Sequence, residues 1–176
     1  QYVGGDGIQQ AVDAAKSGDT VLLKAGTYRR TGYTSYTYNE DNPDRFSGAF
    51  LYIPGKSGRN LKLKGEGVVV LDGSTDKTVG RNGISIYEGT TTIENIKITG
   101  MHWTWCTGKN DPCGSAAIIV YRATANIINS TISQNGGDGI TFIESKGIIS
   151  DNQLIQNGLQ LQNVSPNTAI HTTSSS

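Results

Sequence analysis

The chain has 176 residues, with Lys plus Arg and Asp plus Glu both numbering 15, a length that suits one domain with a sizeable apolar core. The balanced charge gives no support for the concentrated basic face that nucleic acid requires, or for the polybasic patch that an anionic membrane surface attracts. Apolar runs such as Val68-Val69-Val70-Leu71 are far too short to span a bilayer.

The first predicted element is a helix over residues 6–16. Ile8, Ala11, Val12 and Ala15 follow the i, i+3, i+4, i+7 spacing of one helical face. Asp6 and Gln9 have the spacing of a capping box, and Ser17-Gly18 stops the helix. Such a helix suits the capping of an open end in a stacked structure.

Strand-like alternation follows. Leu51, Ile53 and Leu61 begin a faint unit; Ile84, Ile86, Ile93 and Ile98 begin a clearer one. After a 12-residue insertion the pattern returns twice without a gap, as residues 115–136 and 137–158. At this spacing of 22 residues, Ile118 matches Ile140, Val120 matches Phe142, Ile127 matches Ile149 and Ile132 matches Leu154. Asn135-Gly136 likewise matches Asn157-Gly158, and Ile170 is expected to continue the register of Ile148. A run of four to six residues cannot bury its apolar face alone, but stacked copies can, because parallel strands lie about 4.8 Å apart. The 23 glycines and only 17% charged residues fit frequent turns and not a helical bundle. A sandwich of short antiparallel strands is the competing fold, and the gapless register argues against it.

The stretch GIQQAVDAAKSGDTVLLKAGTY, residues 7–28, resembles the opening segment of the pectate-lyase-like superfamily. TIENIKITG and ANIINSTISQNG are similar to its right-handed parallel β-helix repeats. The resemblance covers nearly the whole chain and implies an all-β solenoid of about 22 residues per rung over residues 1–176, with the short helix as its N-terminal cap. It implies fold more than function, since that superfamily holds lyases, hydrolases, epimerases, phage tailspikes and non-enzymatic surface proteins. The paired aspartates of its polygalacturonases and the Asp-Pro-His-Glu run of its alginate epimerases are absent from this sequence.

In the geometry that the resemblance implies, each rung has three strands. Asn95, Asn129 and Asp151 then fall at the turn between the second and third, where stacked side-chain amides are expected to bond one another along the axis. Residues 29–48, 72–82 and 101–114 become inserted loops between the third strand of one rung and the first of the next, sharing one edge of the solenoid. Loops on a rigid scaffold are where function concentrates. They border the outer face of the first-strand sheet, where Tyr52, Ser85, Tyr87, Ile119, Tyr121, Thr141 and Ile143 are expected to meet solvent.

Tyr36, Tyr38, His102, Trp103 and Trp105 on these loops, with Tyr52, Tyr87 and Tyr121 on the face, form a candidate glycan-binding set. Aromatic faces stack on sugar rings while acids and amides bond hydroxyls; packing of the rings against the barrel is the alternative. Glu88, Arg122 and Glu144 occupy one repeat position and are the candidate catalytic set, with Lys146 as a second candidate base. A polysaccharide lyase needs a base for the C5 proton and cations for the uronate. A surface ladder of alternating charge is the plainer reading.

Asp72, Asp111 and Asp138 are candidate calcium ligands, a cofactor that several lyases of the superfamily use. Cys106 and Cys113 are expected to close the third loop as a disulfide, which implies an oxidising compartment and hence a secreted or cell-surface protein. Asn163 is the candidate glycosylation acceptor; Asn129-Ser130-Thr131 also fits the acceptor pattern but overlaps the expected amide turn. Two functions follow. One is an extracellular module that binds, and in its lyase version cleaves, an extended polysaccharide. The other is a structural subunit that self-associates end to end through an uncapped C-terminal rung, and such a head-to-tail contact propagates into a filament.

Overall fold

The computed structural model describes residues 5–30, 33–37, 46–55, 58–75, 82–102, 116–158 and 170–173. Helix α1 (Gly5–Ala14) is followed by β1 (Thr20–Arg29), β2 (Thr34–Thr37), β3 (Phe46–Pro54) and β4 (Asn60–Asp72). The remaining strands are β5 (Asn82–Tyr87), β6 (Thr90–Glu94), β7 (Lys97–Thr99), β8 (Ala116–Tyr121), β9 (Thr124–Ile128), β10 (Thr131–Ser133), β11 (Asp138–Ile143), β12 (Lys146–Ser150), β13 (Gln153–Ile155) and β14 (Ile170–Thr173).

Apart from β2, which is antiparallel to β3, every pairing is parallel and joins one rung to the next. The first strands of successive rungs, β3, β5, β8, β11 and β14, form one sheet. Strands β4, β6, β9 and β12 form the second face, and β4, β7, β10 and β13 the third. Both β1 and β4 are long enough to run through the corner between the second and third faces. This is the right-handed parallel β-helix that the repeats imply.

Like lies on like in the interior. Leu51, Ile84, Ile118 and Ile140 form one inward row, and Ile53, Ile86, Val120 and Phe142 a second. Leu63, Ile93, Ile127 and Ile149 fill the second face, and Leu71, Ile98, Ile132 and Leu154 the third. Most of these side chains are fully buried, each contributing roughly 1.5–3 kcal/mol. One inward row tapers instead, from Leu61 through Thr91 and Ala125 to Gly147. A Cβ on Gly147 would stand 1.7 Å from the carbonyl oxygen of Ala125, so nothing larger fits there.

Several sequence expectations change. Ile170 stacks on Ile140 and does not continue the register of Ile148, because a further excursion, residues 156–169, leaves the end of β13 before β14 begins. Ile148 itself faces outward and is well exposed. The helix spans Gly5–Ala14, not 6–16. Gln9 also does different work from a capping box. Its side-chain amide accepts from the Tyr52 N–H at 2.9 Å and donates to the Tyr52 carbonyl at 2.8 Å, matching the edge of β3 as a neighbouring strand would. Arg59 completes the closure by donating to the carbonyls of Val12, Ala15 and Pro54. The N-terminal end of the solenoid is therefore shut by α1, with the exposed edge of β3 occupied.

Several corners of the coil use one device. A single residue takes positive φ, and its N–H donates to the last strand carbonyl of the next rung: Arg122 to Ile143, Asn95 to Ile128, Gln134 to Ile155. The residue after it has its N–H caught by a side chain of the next rung. Ala123 donates to Ser145, Ser130 to Asn152 and Met101 to Asn135. Asn95, Asn129 and Asp151 are thus the positive-φ turn residues themselves and do not bond one another; Asn95 donates instead to the carbonyls of Gly65 and Gly67. The ladder expected there lies one residue later, and the amide-to-amide stack belongs to Asn135 and Asn157 at the third corner.

Candidate functional site

The inserted segments 29–48, 72–82 and 101–114 leave from the ends of β1, β4 and β7 and return at β3, β5 and β8, so each runs from the third face to the first. Tyr38, Trp103, Trp105, Asp111, Cys106, Cys113 and Asn163 lie outside the described residues, as does the side chain of Tyr36 in β2. His102 follows β7 and is partly buried.

The outer face of the first sheet is less open than its alternation implies. Ser85 and Thr141 are buried. These short side chains sit in troughs: Ser85 pairs with Tyr52 and Ile119, and Thr141 with Ile119. Tyr52 stands in that row, one pleat away from the row of Pro54, Tyr87, Tyr121 and Ile143.

Tyr87 and Tyr121 stack in parallel, with ring centroids 5.4 Å apart and planes 10° apart. The Arg122 guanidinium lies 5.1 Å from the centre of the Tyr121 ring. Ring faces that could stack on sugars are therefore turned along the axis towards protein, and ring edges face outward.

Glu88, Arg122 and Glu144 do share a position, at the corner that ends the first sheet, and all three have positive φ. Arg122 Nε donates to Glu144 Oε2 at 2.9 Å in a half-exposed ion pair. Glu88 forms no ion pair among the described residues. The bond to Glu144, aided by the neighbouring tyrosines, raises the Arg122 pKa further above its ordinary value. A guanidinium held so firmly as a cation is a charge donor and not a proton acceptor. Around the pair lies an open depression of about 320 Å³, lined by Gly89, Arg122, Ala123, Thr124, Glu144, Ser145 and Lys146. Spacing alone brings Arg122 and Glu144 to one repeat position; Thr124 and Ser145 join them around the depression only because the corner folds β9 and β12 in behind the pair.

Of the candidate calcium ligands, only Asp72 and Asp138 are among the described residues, and they do not converge. Asp72 closes β4 and spends one carboxylate oxygen on Arg29 Nε at 3.0 Å and the other on the Ser74 N–H at 3.0 Å. Burial works against its ionisation, but the bonds from Ser74 and Arg29 outweigh that and hold the carboxyl below the usual carboxylate range. Asp138 opens β11 two rungs on and accepts from the Thr141 hydroxyl at 3.4 Å. Calcium wants about six to eight oxygens, and among the described residues no three His, Cys, Asp or Glu side chains gather.

Asn129 is exposed, since the ladder residue at its corner is Ser130. Among the described residues no helix is long and apolar enough to cross a membrane.

A search of curated proteins and one of solved structures find no match. The family model described as right handed beta helix region matches residues 57–176. With the stacked parallel faces and corner ladders above, that match places the chain in the right-handed β-helix family.

Proposed function

We propose that the chain is an extracellular module that binds an extended, acidic polysaccharide across the corner between the first and second faces. The observation that carries this reading is the open depression beside the Arg122–Glu144 pair. It sets two cationic side chains, one carboxylate and the Thr124 hydroxyl around a space large enough for sugar units. Recognition runs through charge and hydroxyl contacts, because the faces of Tyr87 and Tyr121 are turned towards protein. In a lyase version of this reading, Arg122 neutralises the uronate, and Lys146, on the same depression, is left as the base. The competing end-to-end filament has the α1 closure against it, since a docking rung would meet a helix and the Gln9 amide where it needs a strand edge.

Affinity electrophoresis through gels containing uronate or neutral polysaccharides tests the proposal. Retardation by an acidic glycan that is lost in Arg122→Gln and Lys146→Gln, with melting temperature unchanged, supports it. A wild-type protein that no acidic glycan retards, or variants retarded as strongly as wild type, sinks it. Ultraviolet absorbance of unsaturated ends, followed in the same mixtures, separates cleavage from binding alone.

A further inference from the structure

Arg29 and Asp72 are register partners at the last positions of β1 and β4, where the first two inserted segments begin. Asp72 gives one oxygen to Arg29 and the other to the Ser74 N–H in the second of these segments. The next residue on each side adds a contact, since the Thr75 hydroxyl donates to the Arg30 carbonyl at 3.4 Å. Arg30 in turn closes the first segment on itself, donating Nη1 to Thr34 Oγ1 at 2.8 Å and to the Phe50 carbonyl at 2.7 Å. The third root is drawn in as well: the Gly73 N–H donates to the Thr99 carbonyl at 2.9 Å. A Cβ on Gly100 would stand 3.2 Å from Asp72 Oδ1 and 2.9 Å from Ser74. Only glycine lets that strand end approach so closely, and its φ of 71° suits glycine too.

We infer that Asp72 is a positioning residue, an organic clamp that ties the roots of the three inserted segments together, with the Arg29 guanidinium standing where a calcium ion would otherwise be sought. The carboxylate is nearly enclosed, with 12% of its side chain accessible, while Arg29 approaches from solvent at 58%. A fixed cation supplied by the chain does for these loop roots what a bound metal does elsewhere, and it needs no ion from the medium.

Hydrogen exchange read residue by residue tests this. Arg29→Gln and Asp72→Asn should each speed exchange at the Ser74 amide, leave the buried Ile118 amide protected, and in combination do no more than Asp72→Asn alone. Gly100→Ala should speed Ser74 exchange too, by pushing the third root off the carboxylate. Saturating calcium or a chelator should leave wild-type exchange at Ser74 and the melting temperature unchanged. The clamp is overturned if calcium protects the Ser74 amide in wild type but not in Asp72→Asn, or if the Arg29 and Asp72 effects simply add. Should Asp72→Asn fail to fold, Arg29→Gln with and without calcium still decides between the two cations.

Discussion

Asn135 donates from Nδ2 to Oδ1 of Asn157, 2.9 Å away on the next rung, and Asn135 is wholly buried. The same amide serves three more groups: it accepts from the Met101 N–H and donates to the carbonyls of Ile98 and Ser133. Removing one partner from a buried bond leaves the other unpaired, at a cost of about 1–3 kcal/mol per group. Asn135→Ala should therefore lower unfolding free energy by at least about 3 kcal/mol, since several groups are orphaned together. Urea titration checks this, and a loss under about 1 kcal/mol would mean that water replaces the amide.

The corner residues allow a cleaner experiment, because Asn129 is exposed and its φ is 47°. Left-handed backbone costs an ordinary L-residue roughly 1–2 kcal/mol, least for Asn and Gly and most for β-branched side chains. Asn129→Val should lower the unfolding free energy by that order, and the denaturation midpoint with it, while Asn129→Gly should be neutral or slightly stabilising. Equal midpoints for the two variants would show that the corner relaxes out of the left-handed region.

Much of this fold was legible because two consecutive rungs, residues 115–158, lack an insertion, and the match of Ile118 to Ile140 is then visible without a gap. Where an excursion intervenes, periodicity misleads. Ile140 and Ile170 are 30 residues apart yet adjacent in space, and a fixed period of 22 assigned Ile170 to the wrong face. The corners defeated the sequence differently. Asn129 and Asn135 are the same residue type, one in the left-handed turn and one in the ladder, and only the backbone dihedral tells them apart. At the candidate site the repeat position of Arg122 and Glu144 was readable from spacing. The direction in which the tyrosine rings present their faces was not, since ring orientation depends on the neighbour in the stack.

Glu94 gives the surface a pH signature. Hydrogen bonds from Lys62 and then Lys64 hold its carboxyl below the ordinary value of 4.5. A carboxylate with a lowered pKa in the folded state stabilises the fold above its unfolded pKa, and that contribution fades as pH falls through the folded value. Wild type should therefore lose part of its advantage over Glu94→Gln on acidification from neutrality to below pH 4.5. The lysines are substantially exposed, so the difference should be small and should shrink in high salt. Melting curves across that range at two ionic strengths read it, and a gap that widens towards low pH would contradict the assignment.

Tyr121 bears on both stability and recognition, and the two must be pulled apart. One face meets Tyr87, and the Arg122 guanidinium also approaches the ring. Stacked aromatic pairs contribute about 0.5–1.5 kcal/mol beyond their buried area. Tyr121→Ala should therefore lower the melting temperature and release Arg122 from its position, so weaker glycan retention by that variant would not identify a sugar contact. Tyr121→Phe keeps the ring and the stack while removing only the hydroxyl. The charge-led reading expects Tyr121→Phe to melt close to wild type and to be retarded by acidic glycan nearly as strongly, with Arg122→Gln losing retardation at an unchanged melting temperature. Were Tyr121→Phe to lose retardation and Arg122→Gln to keep it, recognition would rest on the phenol and not on the cationic corner.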